Sequence, residues 1–305
     1  MNLKDLQYVI AVAETRHFGR AAERCYVSQP TLSGQLRKLE ESLGVTLFER
    51  TNRVVEITPI GEAILTHARQ IMEQADAITQ LARAHQDPLA GPFRLGAIPT
   101  LSPYLMPLIL EPLQQSHSQL TLVLSEEVTE TLLTRLHHHE IDAALLATRI
   151  NDPSLESIPL FNEPFWLALP HHHPLAGKEK LRRHDLDSAD LMLLSEGHCL
   201  AQQAMEVCHI KQRAKQGENA DLRAASLETL LQLVAANFGP TLVPALAIKS
   251  SSAQNKNIAL HPLEFSDAYR TISLVFRGSF PRRPALEALV DLIQQNLPTS
   301  VTLID

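Results

Sequence analysis

The sequence predicts an α/β protein in two parts: an α-rich winged helix-turn-helix at the N-terminus, joined by a long linker helix to a two-lobed α/β unit. Three patterns carry that reading. Leu32, Leu36, Leu39 and Leu43 recur at i, i+4, i+7 and i+11, a helix that buries one face. Apolar residues from Ile60 to Leu81 alternate in fours and threes, the seam of a coiled coil. Beyond Phe93, short apolar runs alternate with helical stretches, as in α/β folds.

A first helix is expected from residue 3 to about 14, with Leu6, Val9, Ile10 and Ala13 at helical spacing, and a second from 18 to about 25. Ser28 is a good N-cap ahead of Gln29 and Pro30, and Gly44 a good terminator, so a third helix lies between them. Its polar face carries Thr31, Ser33, Gln35, Arg37 and Lys38, short hydrogen-bonders and cations suited to base edges and phosphates. Residues 45–58 read as a two-stranded wing with Leu47, Phe48 and Val55 inward and Arg50 and Arg53 projecting. Thr58 and Pro59 then open the linker helix. Its seam of Ile60, Ile64, His67, Ile71, Gln74, Ile78 and Leu81 runs about 40 Å and implies a partner chain. Asp87, Pro88, Gly91 and Pro92 end it, giving domains of 1–58, 59–90 and 91–305.

In the last domain FRLGAI, LTLVL, DAALLA, FWLALP, LMLLS and ISLVF are strand candidates, and strands separated by helices suggest parallel sheets with crossover helices. Some 200 residues so built suit two lobes with a cleft, where ligands bind near strand carboxyl ends and helix N-termini. NFGPTLVPA reads as a helix end with Gly239 at C′, followed by a strand.

The net charge of −7 discourages nucleic-acid binding overall, yet residues 16–53 hold seven Lys or Arg against four acids. The charged start MNLKDLQYVIAVAETRHF fits neither a signal peptide nor a membrane span, so a cytoplasmic protein is expected. Three cysteines argue against a structural disulfide framework. Cys25, at the end of the second helix, reads as a packed core thiol. Cys199 and Cys208, nine residues apart, are by themselves equally consistent with two core thiols. His198 beside Cys199, and a helix N-terminus expected after LMLLS, both favour thiolate. The tracts at His137 to His139 and His171 to His173 point their side chains different ways and suggest no acidic or thiol partner, so no metal is expected. No P-loop, G-x-G-x-x-G, HExxH or CxxC motif is present, and no cofactor or enzymatic activity is expected.

The segment HFGRAAERCYVSQPTLSGQLRKLEESLGVTLFERTNRVVEITPIG closely resembles the winged helix-turn-helix of LysR-type regulators. SEGHCLAQQAMEVC, GAIPTLSPYLMP and ASLETL resemble the OxyR-like, peroxide-sensing branch of that family. The resemblance covers nearly the whole chain and implies an effector domain like that of periplasmic binding proteins. It implies DNA contacts from Ser28, Gln29, Pro30, Thr31, Ser33, Gln35, Arg37, Lys38, Arg50 and Arg53. It makes Cys199 the peroxide-reactive cysteine and Cys208 the resolving one, with Thr100, Thr129, His198 and Arg270 around the peroxide and Asp142 and Glu228 as possible pocket residues. Implied partners are a double-stranded DNA operator, hydrogen peroxide, a homotetramer built as a dimer of dimers, RNA polymerase and a cellular disulfide reductant; a membrane is not among them. Two other classes stay open: a LysR-type regulator of a small metabolite, and a thiol peroxidase carrying a DNA-binding module. Taken singly, each Thr reads more readily as a helix cap and Arg270 more readily as half of a surface ion pair.

A thiol of pKa about 8.5 is only about 3% ionised at pH 7, so full ionisation accelerates it no more than about thirtyfold. The rest must come from groups that orient peroxide and stabilise the departing oxygen. If LAQQAMEV is helical, the two cysteine Cα atoms lie about 13 Å apart, against roughly 4.4 to 6.8 Å in a disulfide. Closure then requires unwinding, which would displace Leu200, Met205 and Val207 from a buried reduced arrangement. Ala201 and Gln202 replace a more charged pair of the OxyR-like pattern, and Glu206 stands where glycine is common, which strengthens the helix.

Overall fold

A computed structural model describes residues 1–50, 55–84, 89–187, 191–195, 197–208 and 224–304. It divides into two compact units, Met1–Gln86 and Asp87–Asp305. Arg53, Asp87 and Pro88 lie outside the described residues, as do the side chains of Arg50 and Leu81.

The first unit opens with helices α1 (Leu3–Thr15), α2 (Phe18–Arg24) and α3 (Gln29–Leu43). Asn2 and Asp5 cap α1 reciprocally. The Ser28 hydroxyl accepts from the Thr31 N–H at 3.3 Å to start α3, and Gly44 ends it at φ +69°, a left-handed conformation that favours glycine. Leu32, Leu36 and Leu39 are buried with Val9, Val12, Ala21, Leu47 and Phe48. Leu43, in the last turn, is 38% exposed, so the stripe leaves the core one step earlier than its spacing implied. Strands β1 (Phe48–Arg50) and β2 (Val55–Ile57) pair antiparallel as the wing. The Glu40 carboxylate accepts from the Leu47 and Phe48 N–H groups at 2.7 and 3.2 Å, tying the wing to α3. Thr58 caps α4 (Pro59–Ala84) by accepting from the Gly61 N–H at 3.0 Å. Leu65 packs into the core and Ile64 against it, whereas Ile60, Ile71 and Ile78 remain exposed.

The second unit runs β3 (Gly91–Ala97), α5 (Ser102–Ser116), β4 (Leu120–Glu126), α6 (Thr129–His137), β5 (Ala143–Leu146) and β6 (Leu155–Pro170). It continues with α7 (Arg183–Asp187), α8 (Cys199–Val207), α9 (Leu227–Ala235), β7 (Thr241–Pro244), a 3-10 turn (Ala245–Lys249), β8 (Ile258–Pro262), β9 (Tyr269–Arg277), α10 (Arg283–Gln295) and β10 (Thr302–Leu303). The order β10-β6-β9-β5-β3-β4 is mixed: β3 pairs parallel with β4 and β5, but β9 runs antiparallel to both β5 and β6. This corrects the all-parallel expectation. β6 is long enough to serve both lobes, pairing along Leu155–Pro164 with β9 and along Phe165–Pro170 with β7 and β8. Each lobe has its own core, one around Phe93, Leu105, Ile109, Leu145 and Phe276, the other around Phe165, Leu186, Leu200, Leu231 and Val243.

Three local expectations need correction. LMLLS forms no ladder: Met192 bonds Pro240 and Thr241, and Leu194 makes a single bridge to Ala224, so its hydrogen bonds are spent on irregular backbone. Leu155–Pro164, β8 and β10 were not among the strand candidates. After α9, Asn237 rather than Gly239 takes the left-handed conformation, at φ +68°.

Candidate functional site

Three chain segments converge where the two lobe cores meet. β3 ends and delivers Ile98, Pro99 and Thr100; Val128 and Thr129 start α6; Gly197, His198 and Cys199 start α8. Together they line a narrow crevice. Gly197 sits at φ +96°, which a side-chain-bearing residue rarely adopts, and this turn aims His198 and Cys199 at the crevice. Cys199 is the first residue of α8, as the sequence led one to expect, and packs against the core of the first lobe. Leu200, Ala204, Val207 and Cys208 belong to the core of the second.

Behind the crevice lies a fully buried ion pair. Arg270 on β9 donates from Nε to Glu163 at 2.8 Å, from Nη1 to the Thr100 hydroxyl at 2.8 Å and from Nη2 to the Thr100 carbonyl at 2.9 Å. The other Glu163 oxygen accepts from the Leu246 N–H at 2.8 Å. Arg270 is therefore no surface ion pair: its guanidinium makes three hydrogen bonds inside the core, two of which fix Thr100 in place. Neither threonine caps a helix, since α5 and α6 begin at Leu101 and Val128 without side-chain caps. The Thr129 hydroxyl is buried and finds no partner of regular hydrogen-bond geometry.

Burial pushes the Cys199 thiol above the ordinary range. The Arg270 charge, the nearby Thr129 hydroxyl and the N–H groups of Cys199 and Leu200 act the other way without reversing it. The helix N-terminus thus favours thiolate, as expected, but desolvation is the larger effect. His198 begins α8 without a side-chain cap.

The remaining sequence candidates divide. Glu228, at the start of α9, accepts from the Tyr104 hydroxyl at 2.9 Å, and Tyr104 packs against both lobe cores. Asp142 does not join the crevice: it precedes β5 at the opposite end of that strand, where it is buried and accepts from the Arg94 N–H at 2.7 Å. Cys208 is the C-cap of α8 and fully buried; all three cysteines are thiols outside any disulfide. Leu200 and Val207 are buried as expected, while Met205 is half-buried. Gln202 donates to Glu206 at 2.8 Å along the exposed face of α8. Gln203 reaches from α8 to the Ala147 carbonyl at 2.7 Å. Glu163, Tyr104 and Gln203 were not singled out beforehand; an acid inside the apolar run of β6 was the one available signal.

On the first unit, Ser28, Gln29, Pro30, Thr31, Gln35, Arg37 and Lys38 are exposed and Ser33 is half-buried. The Ser28 hydroxyl is occupied as a cap and lies 2.7 Å from that of Thr31. Cys25 caps the end of α2, packed against the core. His137 does have an acidic partner, Asp152 at 3.0 Å, contrary to expectation. Among the described residues no group of three or more His, Cys, Asp or Glu could hold a metal, and no helix is long and apolar enough to cross a membrane.

Residues 3–62 match the family described as "Bacterial regulatory helix-turn-helix protein, lysR family", and residues 86–298 match "LysR substrate binding domain". The "Hydrogen peroxide-inducible genes activator" of Dickeya chrysanthemi is 40% identical over 297 residues, 97% of this chain and 96% of that protein. The Escherichia coli "DNA-binding transcriptional dual regulator OxyR" is 40% identical with the same coverage. Full-length OxyR from Pseudomonas aeruginosa, in a form with cysteine replaced by aspartate, superposes with a TM-score of 0.81 at 36% identity, covering 100% of this chain and 98% of that one. A hydrogen peroxide-bound cysteine mutant of Corynebacterium glutamicum OxyR gives 0.65 at 35% identity, covering 97% and 92%. With both units matched and relatives aligned almost end to end, the chain belongs to the LysR family, among its OxyR-type hydrogen peroxide-inducible genes activators.

Proposed function

We propose that this chain is a DNA-binding transcriptional regulator, mainly an activator of peroxide-defence genes, switched when hydrogen peroxide oxidises Cys199 and the product condenses with Cys208. The observation that carries the reading is the pair of thiols at opposite ends of one helix, the first lining a narrow crevice with Thr100, Thr129 and His198 and the second sealed in a core. In the first step the Cys199 thiolate attacks one peroxide oxygen, the O–O bond breaks, and the expelled hydroxide takes a proton to leave as water. Cys199 is now a sulfenic acid. The Cys208 sulfur then attacks the Cys199 sulfur; hydroxide leaves, takes the Cys208 proton and becomes the second water.

Thr100, Thr129 and His198 line the crevice with Cys199 and orient the peroxide, while Arg270 acts by positioning Thr100. Because burial keeps the thiol protonated, this orientation supplies most of the rate. The crevice is narrow and leaves no interior room for a metabolite-sized ligand, which favours a small reactant such as peroxide. Asp142 is dropped from the pocket, and Glu228 serves the Tyr104 contact.

The α3 face and the wing, Arg50 and Arg53 included, contact the operator, with Ser28 ordering the helix start. Residues 1–58 bind DNA, 59–90 link and dimerise, and 91–305 sense. Exposed apolar side chains support a dimer of dimers: Ile60, Ile71 and Ile78 on α4, and Leu110 on α5 with Val123 and Leu124 on β4. The tetramer works with RNA polymerase in the cytoplasm and is reset by a cellular disulfide reductant. It turns over no substrate: one oxidation leaves it oxidised, whereas a peroxidase would consume many equivalents.

Intact mass before and after stoichiometric peroxide tests the reading. Loss of two hydrogens mapped to Cys199 and Cys208, with altered operator binding, is the expected result. Unmodified protein, or peroxide turnover with a reductant, would overturn it.

A further inference from the structure

The C-terminal end of α8 is held by a side chain that the thiol chemistry does not use. α8 ends without a left-handed glycine, and Cys208 closes it at φ −89° and ψ 2°. The last four carbonyls of a helix lack helical partners. One of them, on Val207, accepts from Nη1 of Arg183 on α7 at 3.0 Å. The same guanidinium donates from Nη2 to the Asp267 carboxylate, in the segment before β9, and its central carbon lies 4.9 Å from the centre of the Phe265 ring. Three contacts from two other segments thus fix a cation against a helix C-terminus, where the helix dipole favours positive charge. Val207 is the residue immediately before Cys208.

We propose that Arg183 is a positioning residue: it holds the Cys208 end of α8 wound in the reduced protein and so sets how fast Cys208 reaches oxidised Cys199. The inference rests on the thiol-switch reading above. Condensation of the Cys199 sulfenic acid with the Cys208 thiol, which forms the S–S bond and releases one water, must bring together Cα atoms that start about 13 Å apart. The helix between them must unwind, and the end bearing Val207 cannot turn out while its carbonyl is bonded to Arg183. Attack of peroxide on Cys199, at the other end of α8, does not involve this bond.

Arg183→Met keeps an unbranched apolar stem and removes the guanidinium, with its bonds to Val207 and Asp267 and its contact over Phe265. In the full-length reduced protein treated with hydrogen peroxide, Cys199–Cys208 closure should run about fivefold to tenfold faster in Arg183→Met than in the natural chain. The midpoint potential should move to more negative values, since only the reduced form loses a contact. Formation of the sulfenic acid, measured in a Cys208→Ser background, should stay within about twofold. Asp267→Asn loosens the anchor without removing the donor to Val207 and should shift closure in the same direction by less, so the idea remains testable if Arg183→Met folds poorly. Unchanged or slower closure in both variants, while the natural chain forms its disulfide, would overturn the role of Arg183 alone. No disulfide in the natural chain would overturn the thiol switch and this inference with it.

Discussion

Two helices of this molecule, α3 and α8, are terminated in opposite ways. α3 runs 15 residues from a serine cap, with proline in its first turn, to a left-handed glycine. α8 runs nine residues from a histidine that does not cap to a cysteine that is not left-handed. The first is specified by its own sequence at both ends. The second is held by what surrounds it: Leu200, Ala204 and Val207 in a core, Gln203 on Ala147, and Arg183 on Val207. A helix that presents a fixed face to DNA gains from local specification, since its shape must not depend on the state of the rest. One that must come apart when a bond forms gains from support that can be withdrawn.

The largest effects should come from removing the reacting atoms of the second helix. Cys199→Ser is expected to abolish the peroxide response, because a hydroxyl there is neither ionised nor oxidisable. Cys208→Ser should still be oxidised at Cys199 yet form no internal disulfide. Intact mass after peroxide checks both, and a response that survives Cys199→Ser but not Cys208→Ser would exchange the two roles.

Next is the buried pair behind the crevice. Arg270→Met leaves Glu163 without its cation and should destabilise the second unit by about 3 to 5 kcal/mol in urea unfolding, with Cys199 oxidation slowed as well. Loss of the Arg270 charge removes an influence that favours the Cys199 thiolate.

The rate of Cys199 oxidation should also depend on pH. Burial raises the thiol pKa above its ordinary value, so at neutral pH only a small fraction is thiolate. Stopped-flow rates should climb about tenfold per pH unit through neutrality and level off only above the range of a free thiol. A plateau already at pH 7 would mean that the helix N-terminus outweighs desolvation. Smaller still is Ser28→Ala, expected to cost about 1 kcal/mol of stability in the first unit and to leave peroxide oxidation unchanged.

What the sequence made legible follows the same contrast. Ser28, Gly44 and the leucine stripe are short-range signals, and α3 lies where they put it. The start of α8 at Cys199 was readable from its position after LMLLS. Arg270 was ambiguous because its partner Glu163 lies 107 residues away, and no local pattern distinguishes a surface arginine from one paired in a core. Asp142 looked like a pocket residue but sits at the wrong end of its strand, a matter of strand direction that residue type does not encode. LMLLS has strand composition, yet its backbone bonds go to Pro240, Thr241 and Ala224. The antiparallel course of β9 depends on long-range pairing with β5 and β6, which alternating apolar runs do not reveal.

The central claim, that α8 must unwind to join its two cysteines while α3 does not change, is tested most directly by amide hydrogen exchange on the reduced protein and on protein oxidised by stoichiometric peroxide. Oxidation should strip protection from residues 199–208 and leave residues 29–43 as slow as before. A disulfide between Cys199 and Cys208 with α8 still fully protected would contradict the account.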